Sequence, residues 1–312
     1  YTRVTMNKKK LLFYLLIFVL LAIAILPKRS QLIASIDIAK TANISWIIVA
    51  VASLIGTYFA AAYIYLLLAK KPINYLITVS VQLASSFANR LLPGGIGGLG
   101  LNVDYLIKCK HKPAQATSVV AMSSLVAFVS HLILVLVALI ISNSSFGIVF
   151  KDRPIPWWVF VVVTVFVVLT IVILNSHKAL KRKTIRLLKN TWINLLNYRK
   201  KPLTIYVSVF MAAIVTTFYV LAFFACAYAV GLPITIVQAF LIYTLGLLLG
   251  AATMTPGGLG GVEAGLAAGL AAVKDDYGLA FSVVIIYRVV TFWLPIVPGY
   301  IAFWLLRRHK KV

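Results

Sequence analysis

The sequence predicts an all-α polytopic membrane protein with about six full spans and two re-entrant helical hairpins. Three observations lead to this fold class. The 312 residues are 62% hydrophobic and only 12% charged, with a mean hydropathy of +1.01. The apolar residues form long runs, most of them near the ~20 residues that a bilayer requires. Two of the runs are interrupted near the middle by a Pro-Gly-Gly motif. A soluble core of this size does not need so much apolar sequence.

Six uninterrupted apolar runs are predicted to be full spans: residues 11–26, 46–68, 116–141, 157–174, 203–230 and 279–306. The Pro-Gly-Gly motifs lie in residues 73–107 and 234–273, and the arms that follow them are too short to cross. Gly costs about 1 kcal/mol and Pro about 3 kcal/mol in a helix interior, so the second tract should break between Thr255 and Gly261. Broken backbone at membrane depth needs surrounding protein or water. Both tracts are therefore predicted to be re-entrant hairpins.

The basic residues predict the orientation of the chain. There are 30 Lys and Arg against 6 Asp and Glu, for a net charge of +24. With both termini cytoplasmic, 22 of the 30 fall in cytoplasmic segments and six in outside loops, as the positive-inside rule requires. The remaining two, Arg90 and Arg288, fall within the membrane. The charge therefore predicts a multi-pass protein of the cell membrane that attracts anionic lipid headgroups, and no nucleic-acid partner.

The two interrupted tracts belong to similar stretches of sequence. KPINYL, LLPGGIGGLG and ATSVVAMSSLVAF surround the first motif, and LPITIV, MTPGGLGGVE and AFSVVIIYRVVTF surround the second. Pro93 aligns with Pro256, and Phe128 aligns with Phe292, at offsets of 163 and 164 residues. Two such units in opposite orientation form an inverted repeat, which is typical of secondary transporters with a site near the midplane. The predicted organisation is one membrane domain (1–312), with repeat 1 at 46–141, a connecting region at 142–202 and repeat 2 at 203–306.

Two weaker features leave alternatives open. Residues 176–201 place apolar side chains at helical spacing opposite Lys and Arg, which predicts a helix lying on the cytoplasmic leaflet. A solvated basic linker is the alternative. His131 falls within a predicted span and is either a proton relay or, as is commoner, a single His bonded to a neighbouring helix.

Four charged side chains fall within the predicted membrane region: Arg90, Asp104, Glu263 and Arg288. Placing each of these charges near the bilayer centre costs at least ~2.5–3.5 kcal/mol on insertion scales, so we expect each to have a functional or structural role. In one interpretation the two arginines bind a phosphate, while the carboxylates hold them in the absence of substrate or carry a coupling proton. In the other, two salt bridges only fasten the repeats together. The sharpest form of the hypothesis sets Glu263 opposite Arg90 across the pseudo-twofold axis.

The predicted substrate site adds a polar neighbour and the glycines, because N–H groups at two helix N-termini can bind phosphate. Its members are Arg90, Asn89, Asp104, Glu263, Arg288, Gly94, Gly95, Gly97, Gly98, Gly257, Gly258, Gly260 and Gly261, with Pro93 and Pro256 as structural breaks. Cys109 and Cys226 belong to no CxxC motif, and we expect neither a metal nor a cofactor. No GxxxxGK[ST], HExxH or Ser/His/Asp grouping occurs at catalytic spacing, so an enzyme is not predicted.

The motifs PGGIGGLG at residues 93–100 and PGGLGGVEAG at residues 256–265 resemble those of one family, the membrane region of bacterial lysylphosphatidylglycerol synthases and related stand-alone proteins. The resemblance extends from about residue 11 to residue 306. In that family the membrane region is regarded as a lipid flippase. The soluble aminoacyl transferase domain is missing from these 312 residues, so lysyl transfer is not implied.

The resemblance implies movement of a phospholipid, glycolipid or polyprenyl-phosphate lipid between leaflets, with Arg90, Glu263 and Arg288 as the positions most important to it. The expected partners are anionic or phosphate-bearing membrane lipids, and a homo-oligomer stays open. The alternative function is an ion-coupled secondary transporter of a small anionic solute. It predicts an enclosed cavity at the midplane, whereas a flippase needs a groove open to lipid.

Overall fold

The structure, a computed structural model, describes residues 37, 40–92, 94–142, 189, 192–193, 196–253, 255–273 and 277–312. The helices with described bounds are α1 (Ile44–Leu68), α2 (Tyr75–Leu91), α3 (Ile96–Lys108), α4 (Pro113–Ser142), α5 (Pro202–Ala229), α6 (Ile236–Thr253), α7 (Gly261–Val273), α8 (Tyr277–Arg288) and α9 (Ile296–Arg308). A 3-10 turn, Asn197–Lys200, precedes α5, and a π-helical turn, Val289–Trp293, joins α8 to α9.

Five helical segments of the described chain are long and apolar enough to cross a membrane: α1, α4, α5, α6 and the continuous segment Tyr277–Arg308. Four of them coincide with predicted spans. The predicted spans at residues 11–26 and 157–174, and most of the predicted interfacial helix at 176–201, lie outside the described residues. At 18 residues, α6 has spanning length, although the sequence predicts that it is one arm of a hairpin. The chain is a multi-pass helical membrane protein, and the depth of its hairpins stays a prediction.

The two Pro-Gly-Gly breaks have similar left-handed φ values at their paired glycines. The first has φ values of 65° at Gly94 and 71° at Gly95, and the second has 62° at Gly257 and 69° at Gly258. This left-handed region costs an L-residue about 1–2 kcal/mol, so both breaks require glycine. The helix ends match the prediction from sequence, because α6 stops just before the second break and α7 starts just after it.

Helices α2 and α3 form an antiparallel hairpin that is joined by hydrogen bonds. Midway along it, Gln82 Nε2 donates to Asn102 Oδ1 at 2.8 Å. Close to the break, the Gly98 N–H donates to Asn89 Oδ1 at 2.6 Å. The Asn89 side chain thus caps the first turn of α3, where N–H groups have no partner within the helix.

Helices α6 and α7 form the second antiparallel hairpin, which is joined by close packing of small residues. A Cβ on Gly265 would lie 2.7 Å from the Cα of Gly246, and a Cβ on Gly269 would lie 2.9 Å from a methyl carbon of Ile242. Side chains this small let two helices approach closely, as is common in membrane proteins. The same architecture is therefore held by polar bonds in one hairpin and by van der Waals contact in the other.

Helices α1 and α5, which lead the two predicted repeats, pack antiparallel along their length. The Asn43 N–H, before α1, donates to the Ala229 carbonyl at the end of α5 (2.8 Å). At the other end, Tyr198 Oη donates to the Leu68 carbonyl at 2.7 Å. The other helices pair in an equivalent way. The first arm of each hairpin packs on the last span of the other predicted repeat, α2 on α9 and α6 on α4. The predicted inverted repeat is compatible with this packing and stays a prediction.

One end of the molecule gathers lysines from several elements. Lys71 Nζ donates to the Lys110 carbonyl at 2.5 Å, which places the start of α2 beside the end of α3. A cavity of about 330 Å³ at this end is lined by Lys108, Lys110 and Lys311, among others. The first hairpin therefore begins and ends at the same side of the molecule as the end of α9; which side of the membrane this is stays a prediction from the charges.

Candidate functional site at the hairpin tips

Arg90, near the end of α2, is bound by backbone carbonyls. Its Nε donates to the Phe292 carbonyl and its Nη2 to the Thr291 carbonyl, both at 2.6 Å. Its Nη1 donates to the Ser86 carbonyl. Within the described ranges no carboxylate lies within ion-pair distance of this guanidinium. A half-buried positive charge is thus solvated by dipoles, with no counter-ion among the residues that the structure describes.

A proline explains why one of these carbonyls, that of Thr291, is available. Pro295 has no N–H, so the Thr291 carbonyl, four residues earlier, lacks its α-helical donor. The chain adapts through the π-helical turn Val289–Trp293, in which the Leu294 N–H donates to the Val289 carbonyl at 2.8 Å. Single π-helical turns inside α-helices are frequent at functional sites. In this protein the turn presents two carbonyls to the first hairpin.

Arg288 pairs with Glu263 inside the second repeat. Its Nε donates to Glu263 Oε1 at 2.6 Å, and its Nη2 donates to the Gly257 carbonyl at 3.1 Å. The second oxygen of Glu263 accepts the Gly260 N–H at 2.8 Å, so the carboxylate also caps α7. The side chains are only 11% and 27% exposed. The expected pairing of Glu263 with Arg90 is therefore not formed, because helix capping holds the carboxylate beside its own break.

Phe292 lies where the two hairpin tips meet. The ring centroid is 5.2 Å from Arg90 Cζ and 4.8 Å from Arg288 Cζ, within the range of cation–π attraction. The same ring contacts the second break so closely that a Cβ on Gly257 would collide with it. Two guanidinium groups thus face a single buried aromatic ring, and one of them is paired with a carboxylate. The cluster carries an excess positive charge.

A polar cavity of about 210 Å³ lies beside this cluster, between α1, α2, α3 and α5. Asn102, which is 3% exposed, is part of the cavity wall. Its side-chain amide donates to Ser85 Oγ at 2.9 Å and to the Gly98 carbonyl at 2.8 Å. The polar residues of the lining are Thr57, Tyr58, Tyr65, Gln82, Ser85, Ser86, Asn89, Asn102 and Tyr219. Of these residues, the sequence analysis predicted only Asn89 as a member of the substrate site. The others come from four helices, and only their presence within apolar runs signals them.

Asp104 does not join the cluster, contrary to the prediction. It is exposed, and it follows the cavity-lining Asn102 by two residues, about 200° around α3. The glycine N–H groups also differ from expectation, because the N–H of Gly98 is bonded to Asn89 and that of Gly260 to Glu263. These two groups already have protein partners where a phosphate was expected.

The remaining predicted positions lie at the two breaks. Pro93 falls outside the described residues, and Pro256 lies between α6 and α7. Gly97 packs so closely against the Ala88 carbonyl that a Cβ would collide with it. His131 Nε2 lies 3.3 Å from Thr244 Oγ1 and joins α4 to α6, which agrees with the commoner of its two interpretations.

Comparison with models of protein families matches residues 11–299 to the one described as "Lysylphosphatidylglycerol synthase TM region". The match covers most of the chain and includes both breaks, both buried arginines and Glu263. A search of curated proteins finds no match.

Proposed function

The chain belongs to the family of the lysylphosphatidylglycerol synthase transmembrane region, and on this premise we propose that it is a flippase for a phosphate-bearing membrane lipid. The headgroup passes the polar cluster between the hairpin tips, while the acyl or prenyl tails stay in the bilayer. The two tips act as halves of an inverted re-entrant repeat that open alternately to each leaflet. The process needs no covalent step, so we propose a transporter and not an enzyme.

The observation that carries this proposal is the unbalanced charge around Phe292. Arg288 has Glu263 as a counter-ion, whereas in the described part of the chain Arg90 has backbone carbonyls and the neutral Tyr58 phenol as partners and no carboxylate. A buried unpaired cation is costly and is retained where it marks a substrate pathway. A phosphodiester carries one negative charge, which neutralises the cluster and accepts the paired N–H groups of a guanidinium.

The geometry suggests how binding drives the movement. A phosphate that bonds Arg90 replaces the Thr291 and Phe292 carbonyls as acceptor, which frees the first hairpin tip from the π-helical turn. Hydrogen bonds to a charged acceptor are worth about 1.5–3 kcal/mol, against about 0.5–1.5 kcal/mol for neutral ones. The lipid therefore favours a conformation in which the two tips are separated.

The test is leaflet exchange of a fluorescent phospholipid in proteoliposomes, followed by chemical quenching of the outer leaflet. The wild-type protein should expose inner-leaflet lipid to the quencher, and Arg90→Ala and Arg288→Ala should each lose at least about 90% of the initial rate, as one lost charged hydrogen bond predicts. Arg199→Ala, at an exposed arginine before α5, is the matched control and should retain the rate.

Two results contradict the proposal. One is exchange no faster than in protein-free liposomes, and the other is a wild-type rate in Arg90→Ala. Uptake of a small anion that depends on a proton or sodium gradient, without lipid exchange, would favour the secondary-transporter alternative.

A further inference from the structure

The 210 Å³ cavity adjoins the Arg90 guanidinium through a residue that contacts both. Ser86 belongs to both, because its side chain lines the cavity and its carbonyl accepts Arg90 Nη1. Asn89, next to Arg90 in sequence, also lines the cavity. A ligand whose phosphate bonds Arg90 therefore places its neighbouring atoms at the mouth of this cavity.

The polar groups that line the cavity are all uncharged. They are amides and hydroxyls, and they include the phenols of Tyr58 and Tyr219. Tyr58 Oη lies 3.5 Å from Ser86 Oγ, at the outer limit of a hydrogen bond, and Ser86 Oγ donates to the Leu83 carbonyl at 2.7 Å, so the Ser86 oxygen keeps acceptor capacity for a hydroxyl of a ligand. Asn102 already bonds Gln82, Ser85 and Gly98 and holds α2 to α3.

No carboxylate of the described chain faces the cavity. Asp37 pairs with Lys40, Glu263 with Arg288, and Asp104 lies on the opposite side of α3. An ammonium group entering the cavity would lose its hydration without gaining a counter-ion, which is strongly unfavourable. An uncharged group with several hydroxyls would instead exchange its water contacts for amide and hydroxyl partners.

The size of the cavity limits what it holds. At about 210 Å³ it is smaller than the roughly 300–1,000 Å³ of pockets for drug-sized ligands. It has room for a small headgroup and not for the acyl chains of a lipid. The tails of any lipid bound there have to lie outside it, against the apolar surface.

We propose that this cavity binds the uncharged, polyhydroxylated headgroup of an anionic lipid, a polyol or a sugar, while Arg90 binds the adjoining phosphate. The inference rests on the proposed flippase function and adds its substrate class. It also excludes lipids with ammonium headgroups as preferred substrates. The preference among headgroups comes from the absence of a carboxylate in the described lining as much as from the hydroxyl and amide groups that line the cavity.

The experiment measures lipid binding to the detergent-solubilised protein by native mass spectrometry, separately from leaflet exchange. The probes are phosphatidylglycerol and phosphatidylinositol, which carry hydroxyls, and phosphatidylethanolamine and phosphatidylcholine, which carry ammonium groups. The hydroxyl-bearing lipids should bind at least ten-fold more tightly. Tyr58→Phe and Ser86→Ala should each weaken them by about 2- to 10-fold, the effect of one neutral hydrogen bond, and leave the ammonium lipids unchanged.

Matched controls remove the same groups elsewhere. Tyr206→Phe, on the exposed face of α5, and Ser80→Ala, outside the cavity lining, should keep the wild-type preference. Melting temperatures identify a variant that does not fold, and either cavity variant alone suffices for the test.

Equal affinity for ethanolamine and glycerol headgroups overturns the inference, as does wild-type preference in both cavity variants. Headgroup preference without leaflet exchange supports this site and contradicts the flippase. Leaflet exchange without headgroup preference supports the flippase and contradicts this site.

Discussion

At the scale of single residues, the protein solvates its two buried arginines in different ways. Arg288 has a carboxylate that is itself fixed by helix capping, whereas Arg90 has carbonyls released by a proline and a π-helical turn. The first arrangement is a neutral pair and the second leaves a charge in excess. This difference is the basis of our proposal that Arg90 binds the substrate and that the Arg288 pair supports the site.

Glu263→Gln should destabilise the protein by about 3 kcal/mol, because it leaves Arg288 as a second uncompensated charge. Adding Arg288→Gln should restore part of this loss, so the double variant should be less destabilised than the sum of the single variants. Denaturant titration in detergent micelles measures both quantities. Asp104→Asn, at an exposed carboxylate, is the control and should change little. Additive losses would mean that the two side chains are not coupled.

His111 is predicted to make stability depend on pH. It is 3% exposed between α3 and α4, its Nδ1 lies 3.0 Å from the Leu106 carbonyl, and its Nε2 accepts the N–H groups of Lys70 and Lys71 at 3.1 Å. Only a neutral imidazole makes all three bonds. Burial first, and then the charges of Lys71 and Lys70, lower the pKa of His111 below its usual 6.5.

Because the folded-state pKa lies below the unfolded value, the contribution of His111 is fully present above about pH 6.5 and is lost as the pH falls towards the folded-state pKa. The melting temperature should therefore fall between pH 7.5 and pH 5. In His111→Gln this fall should be smaller, whereas in His309→Gln, at an exposed histidine, it should match the wild type. The same pH profile in all three proteins would rule out His111 as the titrating group.

At the scale of elements, a proline in the last span frees a carbonyl through which the two hairpins are linked. Pro295 leaves the Thr291 carbonyl without its helical donor, and Arg90 from the other repeat takes that place. The first repeat has His131 at the position equivalent to Pro295 and Ser124 at the position equivalent to Arg288. The two predicted repeats align at these positions, and the polar groups of the candidate site come from where their sequences differ.

Pro295→Ala should lower the rate of lipid exchange without loss of stability. The new N–H can bond the Thr291 carbonyl and competes with Arg90, while removal of a proline from a helix favours regular α-helix. Exchange in proteoliposomes and the melting temperature are the two measurements. Pro298→Ala is the matched control, since it restores a donor to the Leu294 carbonyl, which Arg90 does not contact. An unchanged rate of lipid exchange in Pro295→Ala would mean that the π-helical turn is not needed for exchange.

At the scale of the whole molecule, the antiparallel packing of α1 and α5 brings both breaks to one cluster. Arg90, near the first tip, and Gly257, in the second, both contact Phe292. Each hairpin begins beside its own leading helix, and these helices run in opposite directions. The tips therefore approach the shared cluster from opposite ends of the molecule.

This arrangement predicts the side of the membrane on which each hairpin base lies. In a cysteine-free background, Ile236→Cys and Tyr277→Cys, at exposed positions that flank the second hairpin, should react with an impermeant maleimide on intact cells. Lys112→Cys, after the first hairpin, should react only after permeabilisation. Labelling of all three from one side would contradict the opposite orientation of the two hairpins.

The amino-acid sequence by itself determined that the protein is a helical membrane protein, where two of its helices break, and which charged residues lie at membrane depth. Long apolar runs, glycines that need left-handed backbone and charges at membrane depth are local properties, so they identify the break before Gly261 and single out Arg90 and Arg288 without any tertiary information. Only the tertiary structure decided which groups meet. The pairing of Arg288 with Glu263, the carbonyls around Arg90 and the exclusion of Asp104 depend on how each helix is rotated against its neighbours. The polar cavity depends on residues from four helices, whose contact no local pattern encodes.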